Sequence, residues 1–296
     1  MTGGTSTIAV IGTGRMGAAM AGTLAGAGRD VVVWNRDRDK AARVASAVGA
    51  TVAATAAEAA SKGGVVLSSL ADDVAVEAAY LGPDGVVEGI GPDAVAVEAS
   101  TIDPRTVERV GAAVDATGAG FLDGPVSGSV STVEAGNLTI MVGGDPALLE
   151  RVRPALEPLA ARIVHTGGRG TGAATKLAVN NLVHGLNVAL SEAIVLAERA
   201  GVDRSVAYDV FAGGAGGAPF VQYKREAYEH PESASVAFSL DLVAKDYDLI
   251  LGLGERVGAP MAQAATALEI VRRAIDHGFG DRDLSAIAVY LREGDG

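Results

Sequence analysis

Through the first half of the chain, short apolar runs alternate with stretches of helical period. The first run is Ile8 to Ile11, followed by a glycine turn, a helix over Ala18 to Ala27 closed by Gly28, and a second run at Val31 to Trp34. Further strands are expected at 65–70 and 95–98, at a strand end around Phe121 and Leu122, and at 138–142. Strands that alternate with helices predict a parallel sheet covered on both faces. After Gly170 the texture changes. Strand signals stop, and helices are expected at 172–200, 204–212, 219–229, 239–257, 260–276 and 283–292. The fold class is therefore α/β, with a doubly wound N-terminal domain over 1–168 and an all-α C-terminal domain over 169–296.

The first turn carries candidate chemistry. Gly12, Thr13, Gly14, Arg15, Met16 and Gly17 form a G-x-G-x-x-G run between a strand and a helix. Such a run lets the backbone approach a pyrophosphate at a helix N-terminus. A bare motif is weak; here the preceding strand, the following helix and the second strand all stand at the right distance. An acidic residue at the end of the second strand would hold the ribose hydroxyl of NAD. This chain has Asn35 and Arg36 there, and arginine suits a 2′-phosphate, so NADP(H) is the expected cofactor with NAD(H) as the alternative. In that alternative Arg36 is a solvated residue and Asp37 takes the ribose. The loops after the strands at 65–70 and 95–98 would lie at the carboxyl edge of the sheet, where ligands bind. Leu70, Ala71 and Thr101 are the candidates there, although Ser100, Thr101 or Asp103 would also serve to cap a helix from Pro104. Ser127, Gly128 and Ser129 offer hydroxyls and backbone N–H groups suited to a small carboxylate, or form an ordinary surface loop.

The helix expected at 172–200 would span about 40 Å. Its polar residues Lys176, Asn180, His184, Asn187 and Ser191 fall on one stripe, which should face water, a partner or a cleft. Lys176 is one of only five lysines beside nineteen arginines. Near the helix N-terminus, the dipole and partial desolvation would disfavour its ammonium, which suits a general acid or base. The alternative is a lysine that snorkels to solvent. Lys245 follows Asp241 by four, the spacing of a surface ion pair.

Composition narrows the classes. Net charge is −12, which removes a general attraction to nucleic acid. Cysteine is absent and the four histidines are scattered, so neither disulfides nor a metal site is expected. The chain is 49% hydrophobic with mean hydropathy +0.29, much of it from alanine and valine. No uninterrupted apolar run reaches the ~20 residues of a membrane span. The opening MTGGTST has no signal-type core and is expected to be a short frayed leader, so the expectation is a cytoplasmic protein without membrane or nucleic-acid partners.

Four stretches, taken in order, resemble the β-hydroxyacid dehydrogenase family over about residues 7–291. They are Gly12 to Gly17, then Asp123-Gly124-Pro125-Val126-Ser127-Gly128, then residues 170–181 with Lys176 and Asn180, then Lys245-Asp246. The resemblance implies an N-terminal Rossmann domain, an all-helical C-terminal domain and a homodimer or homotetramer. It implies that Lys176 is the catalytic lysine and Asn180 its supporting amide. Ser127 and Gly128 would hold the substrate carboxylate, Lys245 would contact the cofactor, and Thr101 would lie near the nicotinamide. Where the family commonly continues Ser-Gly-Gly, this chain has Ser129, which points to an altered acid substrate. The related 6-phosphogluconate dehydrogenases place a histidine before the motif asparagine; here that residue is Val179. The activity implied is hydride transfer between NADP(H) and a small β-hydroxy acid or its semialdehyde. An imine reductase or a non-catalytic cofactor-binding protein on the same fold are the alternatives, and retained Lys176 favours carbonyl chemistry.

Overall fold

A computed structural model describes residues 7–294; the expected N-terminal leader lies almost wholly outside them. The chain divides into two compact units, between Lys176 and Leu177.

The first unit begins as a regular alternation. β1 (Ile8–Ile11) leads to α1 (Arg15–Gly26), β2 (Val31–Trp34) to α2 (Arg38–Val48), β3 (Thr51–Val52) to α3 (Ala56–Lys62), and β4 (Val65–Ser68) to α4 (Asp73–Leu81) and the short α5 (Val86–Gly89). β5 (Val95–Glu98), α6 (Pro104–Asp115) and β6 (Gly120–Asp123) follow. β1 to β6 lie in the order β3-β2-β1-β4-β5-β6, all parallel. This is the doubly wound order whose crevice opens at the carboxyl ends of β1 and β4. β1, β4 and β5 are buried along their whole length, because helices cover both faces. That is why these strands read as unbroken apolar runs.

The far edge is less regular. β7 (Val126–Ser127), α7 (Val130–Glu134), β8 (Leu138–Gly143), α8 (Pro146–Leu156) and β9 (Ala160–Gly167) complete the unit. β8 runs antiparallel to β6 and β7 and parallel to β9. Residues expected to form one glycine- and serine-rich loop thus contain a strand and a helix. α7 forms because Ser129 and Thr132 make a reciprocal capping box. β9 leaves no clear periodic signal in the sequence, since much of it is half-buried or exposed. α1 also begins three residues before the expected Ala18, directly after Gly14.

α9 (Thr171–Arg199) is continuous for 29 residues. α10 (Arg204–Gly213), α11 (Pro219–Glu229), α12 (Leu240–Val257), α13 (Ala262–Ala274) and α14 (Ile287–Glu293) match the expected helical positions closely. A π turn at Ile275–Phe279 follows α13, and a 3-10 turn at Leu284–Ala286 precedes α14. By length and composition α9 alone among the described helices would pass for a membrane span. Its polar side chains instead bond inside the helical unit, so it is that unit's core helix.

The polar stripe on α9 corrects one expectation. Beyond Asn180 it turns inward rather than toward water or a cleft. Asn187 donates to the carbonyl of Leu284 at 2.9 Å, Tyr228 donates to Asn187 Oδ1 at 2.8 Å, and Ser191 donates to the Asn187 carbonyl. All three residues are buried, and their bonds offset the cost of removing them from water.

A second buried polar pair fastens the C-terminal segment. Lys224 Nζ stands 2.8 Å from both carboxylate oxygens of Asp283, which also accepts the N–H groups of Ala237 and Ser285. Replacing Lys224 by methionine should leave that carboxylate buried without its counter-charge. We expect a loss of about 3 kcal/mol, measured by urea unfolding followed by circular dichroism. A loss below about 1 kcal/mol would show that the backbone donors suffice on their own.

Candidate active site

The glycine turn is built by close contacts. Gly12 has φ +97°, and a Cβ there would overlap the carbonyl oxygen of Ser69 and stand 2.9 Å from Leu70 Cδ2. A Cβ on Gly17 would overlap the Gly12 carbonyl, so helix and turn touch backbone to backbone. Gly14 is different: beyond its immediate chain neighbours, no described residue comes within 4 Å of where its Cβ would be. Gly14 also caps α1 without any side-chain hydrogen bond, and the first helical turn contains no acid. The α1 N-terminus thus presents its N–H groups beside open space, the arrangement a pyrophosphate needs. Thr13 Oγ1 is buried with no hydrogen-bond partner, a further sign that this turn is shaped for a group bound to it. These residues fit a dinucleotide.

Neighbouring side chains bear on its identity. Thr13 N–H donates to Asn35 Oδ1 at 3.2 Å, and Asn35 Nδ2 donates to the carbonyl of Asp37. Asp37 caps α2, accepting from the N–H groups of Asp39 and Lys40. Arg15 and Arg36 are exposed, and Met16 is half-buried.

At the carboxyl edge of the sheet, Ser68 and Glu98 are register partners on β4 and β5. Glu98 is 1% exposed. Its Oε2 lies 2.5 Å from Ser68 Oγ, and its Oε1 accepts the N–H of Ser100 at 2.7 Å. Ser100 Oγ accepts the N–H of Leu70 at 2.8 Å. Capping of α6 falls to Asp103, which accepts from Arg105 N–H; Thr101 is half-buried between these two and Ala71 is exposed. Burial pushes the Glu98 carboxyl up to about 7, against the opposing hydrogen bonds from Ser100 and Ser68.

One strand further, Asp123 ties the end of β6 to the start of α9. Its two oxygens accept the N–H of Gly170 at 2.9 Å and of Ala173 at 2.8 Å. Burial still pushes this carboxyl above its ordinary range. The same residue begins the run through Ser127 and Gly128, so loop and helix start are fixed from one carboxylate. Ser129, expected beside the substrate, is engaged in the α7 cap: its N–H donates to Thr132 Oγ1, and its hydroxyl lies 2.8 Å from Ser131 Oγ.

Lys176 is half-buried on α9, one turn before Asn180. Asn180 Nδ2 donates to Asp246 Oδ2 at 2.5 Å. His184 Nε2 lies 3.2 Å from the same oxygen, and Lys245 Nζ stands 3.0 Å from Asp246 Oδ1. Asp246 is fully buried. Burial pushes its carboxyl up, but the hydrogen bond from His184 and the charge of Lys245 outweigh that and hold it below its usual value. Two expected site residues, Asn180 and Lys245, therefore meet on one carboxylate. Lys245 pairs here with its own neighbour, a contact that the i,i+4 spacing to Asp241 did not suggest. Sequence reasoning missed the parts played by Asp246, Glu98 and Asp123. The available signal was position: one acid follows Lys245 directly, and the others end β5 and β6. Among the described residues no cluster of His, Cys, Asp and Glu could hold a metal ion.

The Glu98 shift predicts a pH dependence. The folded state binds this proton more tightly than the unfolded chain, so the contribution to stability is complete below about pH 4.5. It is lost as pH rises toward 7. Glu98→Gln, which stays neutral, should gain on the wild type across that window by up to about 3 kcal/mol. Thermal melts at a series of pH values would show it; a constant difference from pH 4 to 8 would contradict the shift.

Comparison with known proteins agrees with this architecture. Residues 7–167 match the family model for the NAD binding domain of 6-phosphogluconate dehydrogenase. Residues 170–291 match that for the NAD-binding domain of NADP-dependent 3-hydroxyisobutyrate dehydrogenase. The chain is 33% identical to glyoxylate/succinic semialdehyde reductase 2 of Arabidopsis thaliana, over 98% of this chain and 80% of the relative. It is 32% identical to NAD-dependent L-serine dehydrogenase of Pseudomonas aeruginosa, over 95% and 96%. The solved structure of Mycobacterium tuberculosis 3-hydroxyisobutyrate dehydrogenase with L-serine superposes with a TM-score of 0.86 at 32% identity, covering 98% of this chain and 100% of that one. With the glycine turn, the doubly wound sheet and the helical unit all in place, the chain belongs to the β-hydroxyacid dehydrogenase family of nicotinamide-dependent oxidoreductases.

Proposed function

We propose that this oxidoreductase is NADP(H)-preferring and interconverts a small β-hydroxy acid and its semialdehyde, with Lys176 as general acid and base. The observation that carries the reading is the pairing on α9. Lys176 stands one turn before Asn180, and Asn180 is held by the buried carboxylate that also holds Lys245. The nicotinamide, when bound, supplies hydride to the carbonyl carbon or accepts it from the carbinol carbon. In reduction the Lys176 ammonium gives its proton to the carbonyl oxygen and regains one from solvent; in oxidation its amine removes the hydroxyl proton. Asp246 accepts a hydrogen bond from the Asn180 amide and so directs the rest of that amide toward the reacting oxygen. Ser127 and Gly128 hold the substrate carboxylate. The engagement of Ser129 in the α7 cap shifts that task onto these two and supports a short acid.

The preference for NADP(H) rests on Arg36. Asp37, the acid that would otherwise take a ribose hydroxyl, already accepts two backbone N–H groups at the start of α2. Self-association into a dimer or tetramer belongs to the same reading, with Leu182 and Leu196 exposed on α9.

Oxidation of NADPH with a panel of semialdehydes and glyoxylate, compared between wild type and Lys176→Ala, tests the chemistry. Loss of general acid–base help should lower turnover by about 100-fold or more, with NADPH affinity unchanged. Near-normal turnover in the variant would remove Lys176 from the mechanism. Arg36→Ala should raise KM for NADPH roughly tenfold and leave KM for NADH in place. Equal effects on both cofactors would assign the 2′-phosphate to another residue.

A further inference from the structure

The carboxyl edge of the sheet is closed by a polar row. Ser68, Glu98 and Asp123 are register partners on adjacent strands, and all are buried. Asp123 fixes the start of α9, whereas Glu98 has no part in the mechanism above. An enclosed carboxyl group costs free energy unless its oxygens are used, and here they are. Ser100 N–H reaches one oxygen and Ser68 Oγ the other. Ser68 Oγ in turn lies 2.7 Å from Tyr80 Oη. On the far side, Ser100 Oγ holds Leu70 N–H, and the Ser69–Leu70 backbone and side chain press on Gly12. A buried carboxyl is thus connected through one serine to the wall of the glycine turn.

We propose that Glu98 is a positioning residue for the dinucleotide crevice: through Ser100 it holds the Leu70 loop against Gly12, and it does so more firmly as a carboxylate than as an acid. The inference rests on the nicotinamide-cofactor reading of this crevice. Proton counting gives the direction. Around a carboxylate, Ser68 and Ser100 both donate inward, and Tyr80 donates to Ser68. Each donor then has one acceptor. A proton on Oε2 must go to Ser68, whose own hydrogen is left with Tyr80 Oη or with the Val97 carbonyl at 3.4 Å. Bonds to a charged acceptor are also shorter and stronger than bonds to a neutral one. The titratable groups facing Glu98 are Tyr80 and Asp73 on α4 and its register partner Asp123 on β6. A carboxyl titrating near neutrality changes state within the range where the enzyme can be assayed. Desolvation of the charge lowers the stability of the whole fold, while the donors around it are held harder; the two effects act on different scales.

Two measurements, neither needing turnover, test this. Amide hydrogen-exchange protection of Leu70 and Ser100 in the cofactor-free chain is compared at about pH 6 and pH 8.5, beside NADPH Kd by fluorescence titration, for wild type and Glu98→Gln. The ratio of variant to wild-type Kd should rise from near one at the lower pH to roughly tenfold at the higher. Leu70 protection should rise with pH in the wild type and stay flat in the variant. Ser100→Ala, which keeps the carboxyl but cuts its link to Leu70, should abolish the same rise even if Glu98→Gln folds poorly. A Kd ratio independent of pH, or Leu70 protection indifferent to both substitutions, overturns the proposal. Because Lys176 enters neither measurement, loss of the hydroxyacid reading would leave this result standing, and the converse also holds.

Discussion

The buried carboxylate of Asp123 is the constraint on which the site depends. It ends β6, and it accepts the backbone N–H groups of Gly170, just before α9, and of Ala173 in its first turn. Without such donors a carboxylate this deep would be strongly disfavoured. With them, a side chain converts the end of a strand into the start of a helix and fixes the phase in which that helix begins. Everything on α9 inherits the phase, Lys176 within the next turn included. The loop that carries Ser127 and Gly128 leaves from the same residue. The Ser127–Gly128 run and the start of α9 therefore share one origin in Asp123.

Asp246 plays the complementary part in the helical unit. Its charge is neutralised by Lys245 and by hydrogen bonds from Asn180 and His184. Three polar side chains drawn from two helices thus have their directions set by one acid. The two carboxylates differ in how they are stabilised. Asp123 relies on backbone dipoles, and its carboxyl remains raised; Asp246 has a cation beside it and is lowered. The first suits a structural anchor, the second a permanently charged hub.

Much of the fold was legible in the sequence. The buried parallel strands announce themselves as apolar runs, and the helices after Gly170 carry clear period and caps. What escaped reading follows from short range or weak contrast. β9 is half-exposed and alternates poorly. α7 is a capping box inside a segment whose glycines and serines read as loop. At the site, motifs single out the candidate residues, but not the acids that hold them in place. Beside their near-neighbour contacts, Asp246, Glu98 and Asp123 bond to residues 30 to 66 positions away in sequence, and no local pattern reports such a contact. The stripe on α9 illustrates the same point. Its spacing was read correctly, yet whether a polar stripe meets water or buried partners depends on what packs against it.

The unbroken run of α9 has a consequence for how such a chain can vary over evolutionary time. Each residue advances a helix by about 100°, so one insertion or deletion between Lys176 and Ser191 would rotate every later position off the stripe. A change between Lys176 and Asn180 would take Asn180, His184 and Asn187 from their partners together, not one by one. Substitutions along this helix can be sampled singly, but its length can be changed only outside that stretch. Length variation among descendants of this chain should accumulate in the connections near 200–203 and 214–218.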